Sequence, residues 1–112
     1  MARRGEVLVA LRRLGFGAAG RREHFVVVQS DLLSGIETAV VVPLDDVAPI
    51  YEEDPLAVRV TAKEAGTKFE QVVLAHLLAA VPVEKFDAAP TGRLSAKSLS
   101  RVDEVLRTVL SL

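Results

Sequence analysis

Apolar positions follow two different rhythms along this chain. As far as residue 83 they come in short runs that either alternate with polar residues or are nearly unbroken, which is the habit of β-strands. EVLVALRRLGFG starts with partial alternation and ends in glycines, predicting a first strand that runs into a loop at Gly15 to Gly20. HFVVVQS is β-branched and almost continuous, as expected of a strand buried on both faces. A short turn at SDLLSG leads to ETAVVVPL, a third strand closed by Pro43. The polar connection DDVAPIYEEDP is bounded by Pro49 and Pro55. In LAVRVTA, Leu56, Val58 and Val60 share one face and Arg59 and Thr61 the other. KFEQVVLAHLLAAVPV reads as two strands, or one bent strand, divided near His76.

After Gly92 the period lengthens to that of a helix. Ser95 is placed to cap the first turn, and Leu99, Val102, Val105, Leu106, Val109 and Leu110 recur at helical spacing. Arg101, Asp103, Glu104 and Arg107 fall on the polar side. Short strands followed by one amphipathic helix predict a mainly β (α+β) fold. The sheet should be small and strongly bent, or a barrel, with the C-terminal helix covering its open face. Residues 1–112 form a single domain, without repeats, linkers or low-complexity tracts.

Composition narrows this further. Half of the 112 residues are hydrophobic but only four Phe and one Tyr are aromatic, so the core is built from Val, Leu and Ala. A core this modest is readily supplemented by a dimer interface. With no cysteine, disulfide scaffolds and thiolate metal sites are excluded, in keeping with a reducing compartment. No apolar run reaches the roughly 20 residues a membrane span needs. Glu6 and Arg12 interrupt the N-terminal apolar run too early for a signal peptide, and the expected location is the cytoplasm. The net charge is −1 but unevenly spread. Residues 1–25 carry six arginines and a net +4; residues 26–56 carry seven acids and no Lys or Arg; residues 57–112 have a net +2. A basic first hairpin points to an anionic ligand.

The candidate chemistry is concentrated in GRREHFVVVQSD. His24 and His76 are far apart and neither has a carboxylate at ligand spacing, so no metal or other cofactor is expected. No G-x-S-x-G elbow is present, and GFGAAG has the letters of a dinucleotide fingerprint without the βαβ unit that gives them meaning. Arg21 and Arg22 are suited to clamping a phosphate and to stabilising a pentavalent phosphorus transition state. His24 titrates near neutrality and can move a proton at a ribose oxygen. Glu23 is either a base or an arginine partner. The same residues also read as a solvated loop with an Arg–Glu pair. His76 reads as a hydrogen-bonded core histidine, and Asp45 and Asp46 as turn residues following strand three.

The order MARRGEVLV, a glycine loop, GRRxxxVVVQSD, AVVVPL and a final GRLSxxxLxxVDEVLxxxL resembles the MazF/PemK toxin family over nearly the whole chain. FVVVQSDLL, VVVPL and LAAVPV are also similar to the related gyrase poison CcdB. The resemblance implies a small SH3-like barrel of the MazF/CcdB type, a homodimer silenced by an acidic antitoxin peptide. It also implies metal-independent cleavage of single-stranded RNA, leaving a 2′,3′-cyclic phosphate and a 5′-hydroxyl. On that reading Arg22, Asp45 and His24 are catalytic, and Arg12, Arg13 and Arg21 hold the RNA backbone. DNA gyrase is the alternative target, and a catalytically silent member acting through antitoxin or protein binding is another. The pattern departs from the family in three places. An Arg-Pro pair is replaced by Arg22 followed by Glu23 and His24; Asp45 holds the position of a threonine; and a Glu-Gln-Ile-Arg stretch becomes His-Leu-Leu-Ala at His76 to Ala79. The C-terminal Trp-Gly-Ile of the gyrase poison is missing.

Overall fold

A computed structural model describes residues 2–16 and 21–112. The strands are β1 (Glu6–Val9), β2 (His24–Val27), β3 (Thr38–Asp46), β4 (Ala57–Val60), β5 (Gln71–Leu74), β6 (Ala79–Pro82) and β7 (Gly92–Arg93). They form one curled, half-barrel sheet in the order β4-β5-β3-β2-β1-β7, with β6 also paired to β3. Two helices, α1 (Ala62–Ala65) and α2 (Ala96–Leu110), complete it. The latter part of the predicted first loop, residues 17–20, lies outside the described residues.

The unbroken HFVVV run is explained by two cores, one on each face of the sheet. Val26 and Val28 pack with Val7, Val42, Val73 and Val102 of α2. Phe25 and Val27 point the other way, toward Leu8, Val41 and Phe86. Phe25 makes edge contacts with Phe16 and Phe86 at ring-centroid distances of 5.4 and 5.5 Å. Truncating this fully buried ring by Phe25→Ala would cost about 3–5 kcal/mol through lost burial and the cavity left behind. Ser95 caps α2 as predicted, its side chain accepting from the Ser98 N–H at 3.1 Å. Val102 is fully buried, while Leu99, Val105 and Leu106 pack around it.

Three expectations need correcting. Strand three continues through Pro43 to Asp46. Pro43 pairs with Phe25, and its nitrogen faces the side where β3 has left β6 (last pair Val41–Ala79) and not yet met β5 (first pair Leu44–Val73). No ladder donor is needed there, so proline is tolerated. The apolar run after Lys68 does divide near His76, into β5 and β6 around a 3₁₀ turn Ala75–Leu77. That turn exposes His76, which is therefore not a core histidine. Finally, a second helix exists. Thr61 and Glu64 form a reciprocal capping box at the start of α1, and Gly66 ends it in the left-handed conformation, φ 67°.

This short helix closes the sheet. Thr91 Oγ1 donates to the Ala65 carbonyl at 3.0 Å, and Glu64 Oε1 accepts from the Ser95 N–H at 2.9 Å. The approach of α1 to β7 is so close that a Cβ on Gly92 would lie 2.1 Å from the Glu64 carbonyl oxygen. The closure carries residues 66–69 to the end of the barrel where β2 begins.

Candidate functional site

A groove of about 440 Å³ opens at this end of the barrel. Its floor is the C-terminal part of β3, from Pro43 to Asp46. Because β3 lies between β2 and β5, one wall is the segment entering β2, with Arg21, Arg22 and His24, and the other is the segment entering β5. The structure thus brings Arg22, His24 and Asp45 to one groove. Arg12 and Arg13 lie beside it, lining an adjoining depression of about 200 Å³ together with Arg21 and Arg22.

Glu23 is not the solvated loop residue the sequence suggests. It is buried, and its carboxylate accepts from the backbone N–H groups of Leu14, Gly15 and Phe16. Burial pushes this carboxyl up, but the three donors together with the charge of Arg13 outweigh it and hold it below the usual carboxylate range. Glu23 therefore fixes the loop after β1 against the strand that carries Arg22 and His24. Phe16, held by that loop, lines the groove.

Arg21 forms an ion pair with Asp46 on the floor. Asp46 Oδ1 also accepts from Gln71 Nε2 at 2.7 Å. Asp45 is a strand residue rather than a turn residue, paired with Val72. Both of its oxygens are engaged: Oδ2 accepts from the Tyr51 hydroxyl at 2.6 Å and Oδ1 from the Asp46 N–H at 2.9 Å. His24 is half-buried, and burial pushes its imidazole below the ordinary histidine value. A hydrogen bond with the Arg22 backbone works against this, and the Arg22 charge works with it. The imidazole is consequently neutral at neutral pH and able to accept a proton.

The basic N-terminal region is less available than its charge count implies. Arg4 bridges the Val28 carbonyl and Asp103 of α2, and so serves the fold. Among the described residues, Arg22 and Lys68 have no ion-pair partner. In the sequence, Lys68 and Phe69 read as the start of an apolar strand and carry no functional signal. The T-x-x-E signature at Thr61–Glu64, followed by Gly66, was the available signal that a helix ends there and a loop begins. No cluster of three or more His, Cys, Asp or Glu side chains able to hold a metal occurs among the described residues. Nor is any helix among them long and apolar enough to cross a membrane.

Residues 3–110 match the family described as PemK-like, MazF-like toxin of type II toxin-antitoxin system. Curated proteins gave no match to the sequence. Solved structures match closely in fold. An endoribonuclease in complex with its cognate antitoxin from a mycobacterial species aligns with TM-score 0.78 and 17% identity, over 100% of this chain and 97% of that one. MazF in a MazE-MazF complex from Deinococcus radiodurans aligns with TM-score 0.73 and 19% identity, covering 98% and 96%. The Mycobacterium tuberculosis toxin MazF-mt6 gives 0.74 and 15%, covering 96% and 97%.

Proposed function

The chain belongs to the PemK-like, MazF-like toxins of type II toxin–antitoxin systems, and we propose that it is an endoribonuclease that cuts single-stranded RNA at the groove between β2 and β5. The observation that carries this reading is the convergence of an unpaired Arg22, a neutral His24 and Asp45 on one groove. His24 takes the proton from a ribose 2′-hydroxyl. The 2′-oxygen attacks the adjacent phosphorus, and the bond to the 5′-oxygen breaks. The leaving oxygen takes up a proton from water and His24 returns its proton to solvent, giving a 2′,3′-cyclic phosphate and a 5′-hydroxyl. Arg22 stabilises the extra negative charge of the pentavalent phosphorus. Asp45 positions rather than reacts, since hydrogen bonds already occupy both its oxygens. The backbone is held by Arg12, Arg13 and Arg21, so affinity falls steeply with salt. No step in this scheme calls for a metal ion.

A homodimer, cytoplasmic and silenced by an acidic antitoxin segment, completes the proposal. Exposed Leu32, Leu33 and Ile36 beside the β2–β3 turn supply apolar surface for such partners. The relatives named above are MazF toxins and endoribonucleases, and nothing in them favours the gyrase alternative. The test is incubation of purified protein with a long RNA, single-stranded or annealed to its complement. Discrete cuts confined to the single strand are expected, and an intact single strand would overturn the proposal.

A further inference from the structure

Four of the five aromatic side chains are buried or half-buried, whereas Phe69 is 58% exposed. It stands on the groove wall opposite Arg22. An exposed phenylalanine is unremarkable by itself. The backbone that carries this one is anchored: its carbonyl accepts from Thr67 Oγ1 at 2.8 Å and from Gln71 Nε2 at 2.9 Å. Gln71 is buried, and the same nitrogen donates to Asp46, the partner of Arg21. A continuous polar chain therefore ties the aromatic wall to the cationic wall. Lys68 Nζ lies over one face of the Phe69 ring, 5.4 Å from its centroid, and has no ion-pair partner among the described residues.

Resting on the proposed RNA cleavage, we propose that Phe69 is a stacking platform for one unpaired nucleobase, with Lys68 on the neighbouring phosphate. β2 and β5 flank β3, so the strands that the two walls lead into are spaced about 10 Å apart. That separation suits a nucleotide whose phosphate is at Arg22 and whose base reaches across to Phe69. An aromatic ring carried on an anchored backbone in a cationic groove is the arrangement that binds single strands with little sequence preference. Base pairing in a duplex would hide the face the ring needs.

The experiment uses a 2′-O-methyl oligoribonucleotide, which lacks the attacking hydroxyl and stays intact. 2-Aminopurine is placed at successive positions, and an abasic series is run in parallel. One position should show fluorescence quenching on binding. Phe69→Leu should weaken binding about tenfold or more without changing its salt dependence, and Phe69→Tyr should restore it. An abasic nucleotide at the quenched position should erase the penalty of Phe69→Leu. Lys68→Met should lower the slope of log affinity against log salt by about one. Normal binding by Phe69→Leu, or quenching at no position, overturns the platform even if all-RNA substrate is cut. A Phe69-dependent interaction accompanied by uncut all-RNA substrate overturns the cleavage reading and leaves the platform standing.

Discussion

The Tyr51 hydroxyl donates to Asp45 Oδ2 at 2.6 Å, joining the 3₁₀ turn after β3 to the groove floor. An aspartate at the floor is an acceptor, and Tyr51 is the donor that satisfies it. The hydrogen bond to Asp45 is the main cause that pushes the Tyr51 phenol up to about 12, assisted by burial. Its folded-state value is raised, so the contribution to stability is complete below the ordinary phenol value of 10.0 and is lost as pH rises through about 12. Tyr51→Phe should cost about 1 kcal/mol in urea unfolding at neutral pH. The gap between the two proteins should narrow from pH 10 upward; a constant gap would show that the phenol proton is not what Asp45 uses.

His24 sets the pH dependence of cleavage. Burial depresses its imidazole, so the rate limb governed by this base lies below the ordinary histidine value of 6.5. Cleavage should rise with pH, with the midpoint of the rise below that point. His24→Asn should lose about 10²–10⁴ in rate together with the limb. An unchanged limb in the variant would assign the base to another group.

Acid stability should depend on Glu64. Burial raises this carboxyl, but hydrogen bonds from Ser98, from Ser95 and from the Thr61 backbone reverse the effect and bring it to about 2. A depressed carboxyl stabilises above its unfolded value of 4.5, and this contribution is lost as pH falls through about 2. Glu64→Gln should be less stable than the parent at pH 7, with the two converging as the pH approaches 2. Chemical denaturation across that range measures it.

Gly92→Ala should destabilise by about 1–3 kcal/mol, because a Cβ there meets the Glu64 carbonyl oxygen and the Ala65 carbonyl carbon at 2.1 and 2.7 Å. Backbone lies on both sides of this contact, and neither side can swing away as a long side chain would. Gly35→Ala has open space and serves as the control.

Much of the fold was legible because burial leaves a periodic trace. Continuous β-branched residues marked β2, which really does separate two cores, and the 3.6 period from Leu99 to Leu106 marked α2. Pro43 misled because its cost depends on which side its missing donor would face, and that is a property of strand pairing. His76 misled because neighbouring apolar letters do not reveal a 3₁₀ turn that swings His76 and Leu77 outward. In the groove, Arg22, His24 and Asp45 could be singled out by type and by the family resemblance. Glu23 could not be assigned, since its partners are backbone N–H groups, which have no sequence signature. Phe69 and Lys68 reach the groove only through the α1–β7 closure, a tertiary event beyond the reach of local pattern.

The most direct test of the account is single-turnover cleavage of single-stranded RNA in excess chelator by the parent protein and by Arg22→Ala, with both fragment ends analysed chemically. Arg22 is exposed and has no ion-pair partner among the described residues, so its truncation should leave the fold intact. The account predicts discrete cuts bearing 2′,3′-cyclic phosphate and 5′-hydroxyl ends, reduced at least a hundredfold in the variant. Equal cleavage by both proteins, or different ends, would contradict it.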